Sequence, residues 1–195
     1  NDPSMYDLGN FVLEQALWDS KLFLQQNPDF FINVNVSAKQ LERPDFCRVV
    51  LELLDKTEFP VRHLCLEITE RCRSLPVSVI NERMAVLRGY GIKFAMDDFG
   101  TGSSSSAMAL EMLIDEIKID MSFIRKILVN KKNKAIVQSM VDFANAANIK
   151  SCLEGVENKA LEDYLRTVGA TWFQGYYYSK PVGADELEIL LSAKK

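Results

Sequence analysis

The sequence predicts an α/β fold, a parallel sheet wound toward a (β/α) barrel, and three observations predict it. Short β-rich apolar runs alternate with longer amphipathic stretches along the chain. The short runs are nearly continuous in apolar residues, as strands covered on both faces must be. Each short run also ends in a polar residue able to bind a metal or move a proton.

The elements follow in order. Residues 5–26 carry Leu8, Phe11, Val12 and Ala16 at helical spacing. Residues 30–36, FFINVNV, are short and β-rich, and residues 44–56 return to a helical pattern with Phe46, Val49, Val50, Leu53 and Leu54 on one side. HLCLEI at 63–68 reads as a strand, and residues 76–90 as an amphipathic helix stopped by Gly91. A strand at 92–97, a short helical piece at 107–113 and a strand at 116–119 come next. The remainder reads as a helix at 132–148, a strand at 150–153, a helix at 158–168, a strand at 171–178 and a helix at 184–191. Strands joined by helices run parallel, and six strands in such a series fit either an open doubly wound sheet or a barrel.

The strand ends decide between the two. The first strand ends at Asn35 and the second at Glu67, with Glu70 in the following loop. The third ends in Asp97-Asp98, and the fourth carries Lys118 and Asp120. The fifth ends at Glu154, with Glu157 beyond, and the sixth holds Gln174. An open sheet gathers its ligand groups at one switch point, whereas a barrel collects them from all its strands on one rim. Contributions from every strand argue for the barrel.

Carboxylates and an amide, without His or Cys, make a hard oxygen site suited to Mg²⁺, Mn²⁺ or Ca²⁺. A carboxylate at a single strand end is usually only solvated or capping a helix. The run Asp97-Asp98-Phe99-Gly100-Thr101-Gly102 is harder to read that way, because two glycines make the loop permissive and allow a close approach to a ligand. Two ions held by such a set are the standard apparatus of phosphodiester hydrolysis. Lys118 among the acids would position a water or steady developing charge, and Glu154 would serve as general base.

On these residues the chain resembles the EAL-domain phosphodiesterases of bacterial signalling. The matching segments are Asn35-Val36-Ser37, Glu67-Ile68-Thr69-Glu70, DDFGTG at 97–102, Lys118-Ile119-Asp120, Glu154-Gly155-Val156-Glu157, and Gln174-Gly175-Tyr176 leading to Ser179-Lys180-Pro181. The resemblance implies a TIM-like (β/α)8 barrel of the EAL type that linearises cyclic di-GMP to pGpG with two Mg²⁺ or Mn²⁺ ions, often as a homodimer. It implies that Asn35, Glu67, Asp97 and Asp98 are metal ligands. Lys118 and Glu154 become the pair that positions and activates the attacking water, and Gln174 a residue supporting metal or water. By resemblance Glu70 anchors the loop after DDFG, and Gln174, Glu70, Asp120 and Glu157 are expected to be cofactor-binding residues. A sensory or GGDEF domain is expected elsewhere in the parent protein, in the cytoplasm.

Two departures qualify the resemblance. No Glu-Ala-Leu triplet occurs, and the chain opens at Asn1 without methionine, in the helix before NVS. Residues 1–195 are therefore expected to be a single EAL domain lacking its first two strands, with little activity in isolation. Ser103 to Ser106, followed by Ala107, replace the Tyr and Leu usual after GTG. The competing function is an inactive EAL module that binds cyclic di-GMP or a protein partner without turnover.

Composition bounds the rest. A net charge of −4 over 195 residues disfavours duplex nucleic acid and anionic membrane surfaces, where affinity comes from neutralising phosphates. Cys47, Cys65, Cys72 and Cys152 form no CxxC pair and read as free thiols of a reducing compartment. His63, the single histidine, reads as structural.

Overall fold

The computed structural model describes residues 4–69, 75–102 and 105–192. The elements run α1 (Ser4–Gln26), β1 (Ile32–Asn35), α2 (Ala38–Glu42), α3 (Phe46–Thr57), β2 (Leu64–Thr69), α4 (Val77–Gly89), β3 (Lys93–Phe99), α5 (Ser105–Glu111) and β4 (Glu116–Ile119). They continue with α6 (Met121–Ile124), α7 (Lys131–Ala146), β5 (Lys150–Glu154), α8 (Lys159–Arg166), β6 (Trp172–Gln174) and α9 (Ala184–Ser192). Among the described residues the strands form one six-stranded sheet ordered β1-β2-β3-β4-β5-β6. The pairs β1/β2, β3/β4, β4/β5 and β5/β6 are parallel. A doubly wound sheet reverses its strand order at a switch point; this order never reverses, which is the progression of a (β/α) barrel. No helix among the described residues is long and apolar enough to cross a membrane.

The chain divides into two compact units, 1–94 with 182–195, and 95–181. The first is built on β1 and β2. Leu64, Cys65, Leu66 and Ile68 of β2 are buried, as are Phe46, Val50 and Leu54 on one face of α3. The turn before β2 is fixed by His63, which is buried. Its Nε2 accepts from Arg62 Nε at 2.9 Å, so Nδ1 carries the proton and donates to Phe30 O at 2.6 Å. The histidine therefore has the structural task read from the sequence.

The second unit has β4 at its centre, buried along its whole length. Against this sheet α7 lays Val137, Val141 and Ala144, all fully buried. The ring of Phe99 stacks on Phe143 with centroids 6.2 Å apart and planes 9° from parallel. Cys65 and Cys152 are buried, and Cys47 is half-buried.

The structure adds to or corrects the sequence reading in three places. The face of α1 that is buried carries Leu13, Leu17, Ser20 and Phe23, whereas Leu8, Phe11 and Val12 are 53%, 63% and 48% exposed. Apolar residues ring much of this helix, so spacing alone selects no single face. The last strand stops at Gln174 and does not run to Tyr178. There the chain closes a turn, with Tyr177 N donating to Val156 O at 2.9 Å and Tyr178 N to Gly175 O at 3.0 Å. Aromatic β-propensity is overridden by this tight approach. Finally, α2 and α6 were not foreseen; each is a short turn of helix started by a capping side chain, Ser37 or Asp120.

Gly175 makes the turn possible. A Cβ there would lie 2.2 Å from Val156 O and 2.3 Å from Val156 N, both backbone atoms that cannot step aside. Gly175→Ala should therefore lower stability by at least about 1–3 kcal/mol, the usual range for overpacking. Gly183→Ala, whose Cβ would meet nothing within 4 Å, should stay within about 0.5 kcal/mol of wild type. Urea unfolding of the two variants side by side checks this.

Candidate active site

In the first unit, β1 and β2 pair so that Asn33 faces Cys65 and Asn35 faces Glu67. Residues two apart on a strand share a face, so Asn33 and Asn35 lie on the side of Glu67. Glu67 is only 4% exposed, and Asn33 Nδ2 donates to its Oε1 at 2.8 Å. Directly after this pair the chain is turned by Ser37. Its Oγ accepts from Gln40 N at 3.2 Å while Gln40 Oε1 accepts from Ser37 N at 3.1 Å, a reciprocal cap that starts α2. The strand is thus cut short immediately past Asn35, which is left exposed at its end. Sequence reasoning passed over Asn33. An amide two residues before Asn35 in an extended run was the available signal, since parity alone sends it to the same face.

In the second unit, the register of β3 on β4 slips. Ala95 faces Glu116 and Met96 faces Ile117, but Phe99 faces Ile119, so Asp97 and Asp98 together oppose Lys118. This is a β-bulge, uncommon between parallel strands and a device that re-aims side chains beside functional sites. Asp98 takes the left-handed conformation, φ 55°, one of three such non-glycine residues among those described. Aspartate tolerates that region better than most side chains. Gly100 follows at φ 95°, and Thr101 closes the loop by donating its backbone N and Oγ1 to Asp98 O at 3.2 and 2.9 Å. A regular strand would send the two aspartates to opposite faces.

Lys118 is 5% exposed. Its Nζ lies 2.9 Å from Glu154 Oε1 and 3.4 Å from Asp97 Oδ1. The contact with Asp97 is one of charge only, because Asp97 Oδ1 is buried and takes part in no hydrogen bond among the described residues. Two carboxylates and one ammonium leave a net negative charge in a space largely closed to water. Glu154 ends β5 in register with Gln174 on β6, and β5 sets Cys152 opposite Lys118 on β4. Gly155, at φ 79°, then turns the chain, and a Cβ there would strike Met121 Cβ at 2.6 Å.

The other expected residues have different settings. Asp120 is the N-cap of α6, its Oδ1 accepting from Ser122 N at 2.9 Å, which gives that oxygen a structural task. Glu157 and Gln174 are exposed, and Glu70 lies outside the described residues. Tyr176, Tyr177 and Tyr178 are also exposed. Burial pushes the Tyr178 hydroxyl above its ordinary value, with the Glu162 charge adding to it.

The donor set suits a hard divalent cation. It is all oxygen, and the buried Asp97 Oδ1 is a charged acceptor short of a donor. Among the described residues no three carboxylate, thiol or imidazole groups cluster tightly enough to cage an ion unaided. Mg²⁺ does not require that, since it keeps several waters and takes one or two carboxylates together with substrate phosphates.

Residues 4–181 match the EAL domain family. The chain belongs to that family. A probable cyclic di-GMP phosphodiesterase, PdeG of Escherichia coli, is 36% identical over 85% of this chain and 33% of its own length. Cyclic di-GMP phosphodiesterase PdeA of Borreliella burgdorferi is 31% identical over 90% of this chain and 26% of its own. The solved PaMucR phosphodiesterase in complex with c-di-GMP superposes with a TM-score of 0.88 at 30% identity, covering 95% of this chain and 75% of that one. The chain therefore spans roughly a quarter to a third of the curated relatives it matches.

Removing the ammonium at the centre of this cluster leaves two largely enclosed carboxylates uncompensated. Lys118→Met should cost about 3–5 kcal/mol of stability, the range for breaking a buried ion pair on one side. Lys39→Met, which breaks the exposed pair with Glu42, should cost less than about 1 kcal/mol. Urea unfolding in EDTA compares the two without interference from bound cations.

Proposed function

We propose that this domain is a phosphodiesterase that hydrolyses cyclic di-GMP to linear pGpG with two Mg²⁺ or Mn²⁺ ions. The observation that carries the reading is the buried Lys118 ammonium held between Glu154 and Asp97. Asp97 and Asp98, with Asn35 and Glu67 on β1 and β2, are the residues we assign to the ions. Bound there, divalent ions polarise a phosphodiester and ease deprotonation of water.

The chain's own groups carry the remaining work. Glu154 accepts the proton of the attacking water. Lys118 holds the Glu154 carboxylate at 2.9 Å and brings its positive charge to that water or a phosphoryl oxygen. Gln174, in register with Glu154, presents an amide on the same edge of the sheet to orient the same water. The bulge sets Asp97 and Asp98 together opposite Lys118, with the Asp97 carboxylate 3.4 Å from its ammonium, so charge developing on the phosphate meets a cation on that side. We further propose that the domain works as a homodimer in the cytoplasm, within a longer protein that carries a sensory or GGDEF domain.

In the full-length protein, Glu154→Gln should lower kcat by about 10²–10⁴-fold, the usual contribution of general-base assistance. Cyclic di-GMP affinity should change little. Asp97→Asn should abolish turnover while the protein stays folded. The readouts are steady-state hydrolysis and isothermal titration with cyclic di-GMP. Turnover within a few-fold of wild type in both variants would sink the assignment. Binding without turnover in the wild type, with Mg²⁺ or Mn²⁺ present, would make the domain a receptor.

A further inference from the structure

We propose that Asn33 is a positioning residue for the metal ligand Glu67, and that it acts through both ends of its amide. The proposal rests on the reading that Glu67 holds a divalent ion. Three observations carry it. The register sets Asn33 diagonally from Glu67 on the shared face of β1 and β2. Its Nδ2 donates to Glu67 Oε1 at 2.8 Å, which fixes which end of the amide faces the carboxylate. The other end, Oδ1, is therefore directed away from Glu67, and it is buried with no hydrogen-bond partner among the described residues.

A buried acceptor without a donor is rare in folded proteins and calls for an explanation. An apolar side chain of the same size would fill this position without leaving an oxygen unsatisfied. What asparagine adds is a donor that fixes the orientation of the Glu67 carboxylate, and an acceptor suited to one specific donor, a water in the hydration shell of a divalent ion. Hard cations such as Mg²⁺ retain several of their waters, so outer-shell acceptors of this kind are part of how they are held. Side chains that orient a metal ligand in this way typically change metal affinity by about 10–100-fold when removed.

The test uses the full-length protein and Mn²⁺ itself, read by the electron paramagnetic resonance of the free ion. Asn33→Leu and Asn33→Ala should each raise the Mn²⁺ concentration for half-saturation by about tenfold or more. The kcat for cyclic di-GMP at saturating Mn²⁺ should stay within a few-fold of wild type. In a Glu67→Gln background, Asn33→Leu should produce a clearly smaller shift, because the carboxylate it orients is gone and only the acceptor for the ion's water is left to lose. Unchanged Mn²⁺ titrations in folded variants would overturn the proposal, as would the same shift in both backgrounds. Loss of cooperative thermal unfolding in both single variants would make Asn33 a stability residue and overturn it too. A wild type that takes up Mn²⁺ without hydrolysing cyclic di-GMP would defeat the phosphodiesterase reading while leaving this one to the same titration. A wild type that takes up no Mn²⁺ would overturn both.

Discussion

The second unit is organised around one interaction, the buried ammonium of Lys118 between the carboxylates of Glu154 and Asp97. A lysine on a central strand, almost wholly removed from water, is tenable only with charged partners, because desolvating an unpaired ammonium costs several kcal/mol. That requirement restricts the neighbours on both sides. Glu154 must lie at the end of β5, where its side chain reaches Lys118. Asp97 must face β4, although the strand continues to Phe99, whose ring is needed against Phe143.

The bulge reconciles those two demands. An extra residue on β3 lets Asp97 and Asp98 both oppose Lys118 and still returns Phe99 to the buried side. The local cost is a left-handed backbone at Asp98 and a tightly enclosed glycine, Gly100, just beyond it. Gly100 could not become alanine without meeting Met140 and Phe123, at 2.5 and 3.0 Å. In the first unit the corresponding economy is simpler. Asn33, Asn35 and Glu67 are set on one face by parity, and the Ser37 cap ends the strand at once. Asp98, Gly100, Gly155 and Gly175 thus place backbone strain or a close approach just at or beyond the strand ends where polar groups are presented.

Much of this was legible in the sequence because it follows from parity and periodicity. Six strands, their order and the polar residue ending each of them follow from alternating apolar runs, and Lys118 beside Glu154 follows from adjacent parallel strands. The bulge was not legible. Two acids before a glycine pair look the same whether the strand turns at Asp97 or bulges and continues to Phe99. Helical spacing marked α1, but it did not single out its buried face, because Leu8, Phe11 and Val12 are as apolar as Leu13 and Leu17. The tyrosines at 176–178 have strand-like composition, and only the contact of Gly175 with the Val156 backbone shows that the chain must turn there. Asn33 looked like filler in an extended run, since nothing in composition separates an amide aimed at a carboxylate from one facing solvent.

We propose that the charge cluster on β3, β4 and β5 serves to break a phosphodiester. The most direct measurement is the fate of cyclic di-GMP incubated with the full-length protein, resolved by anion-exchange chromatography with Mg²⁺ or Mn²⁺ and again with excess EDTA. Linear pGpG should accumulate over many turnovers with either metal, and EDTA should stop it. Recovery of intact cyclic di-GMP in both conditions, from a protein shown to bind it, would contradict the claim.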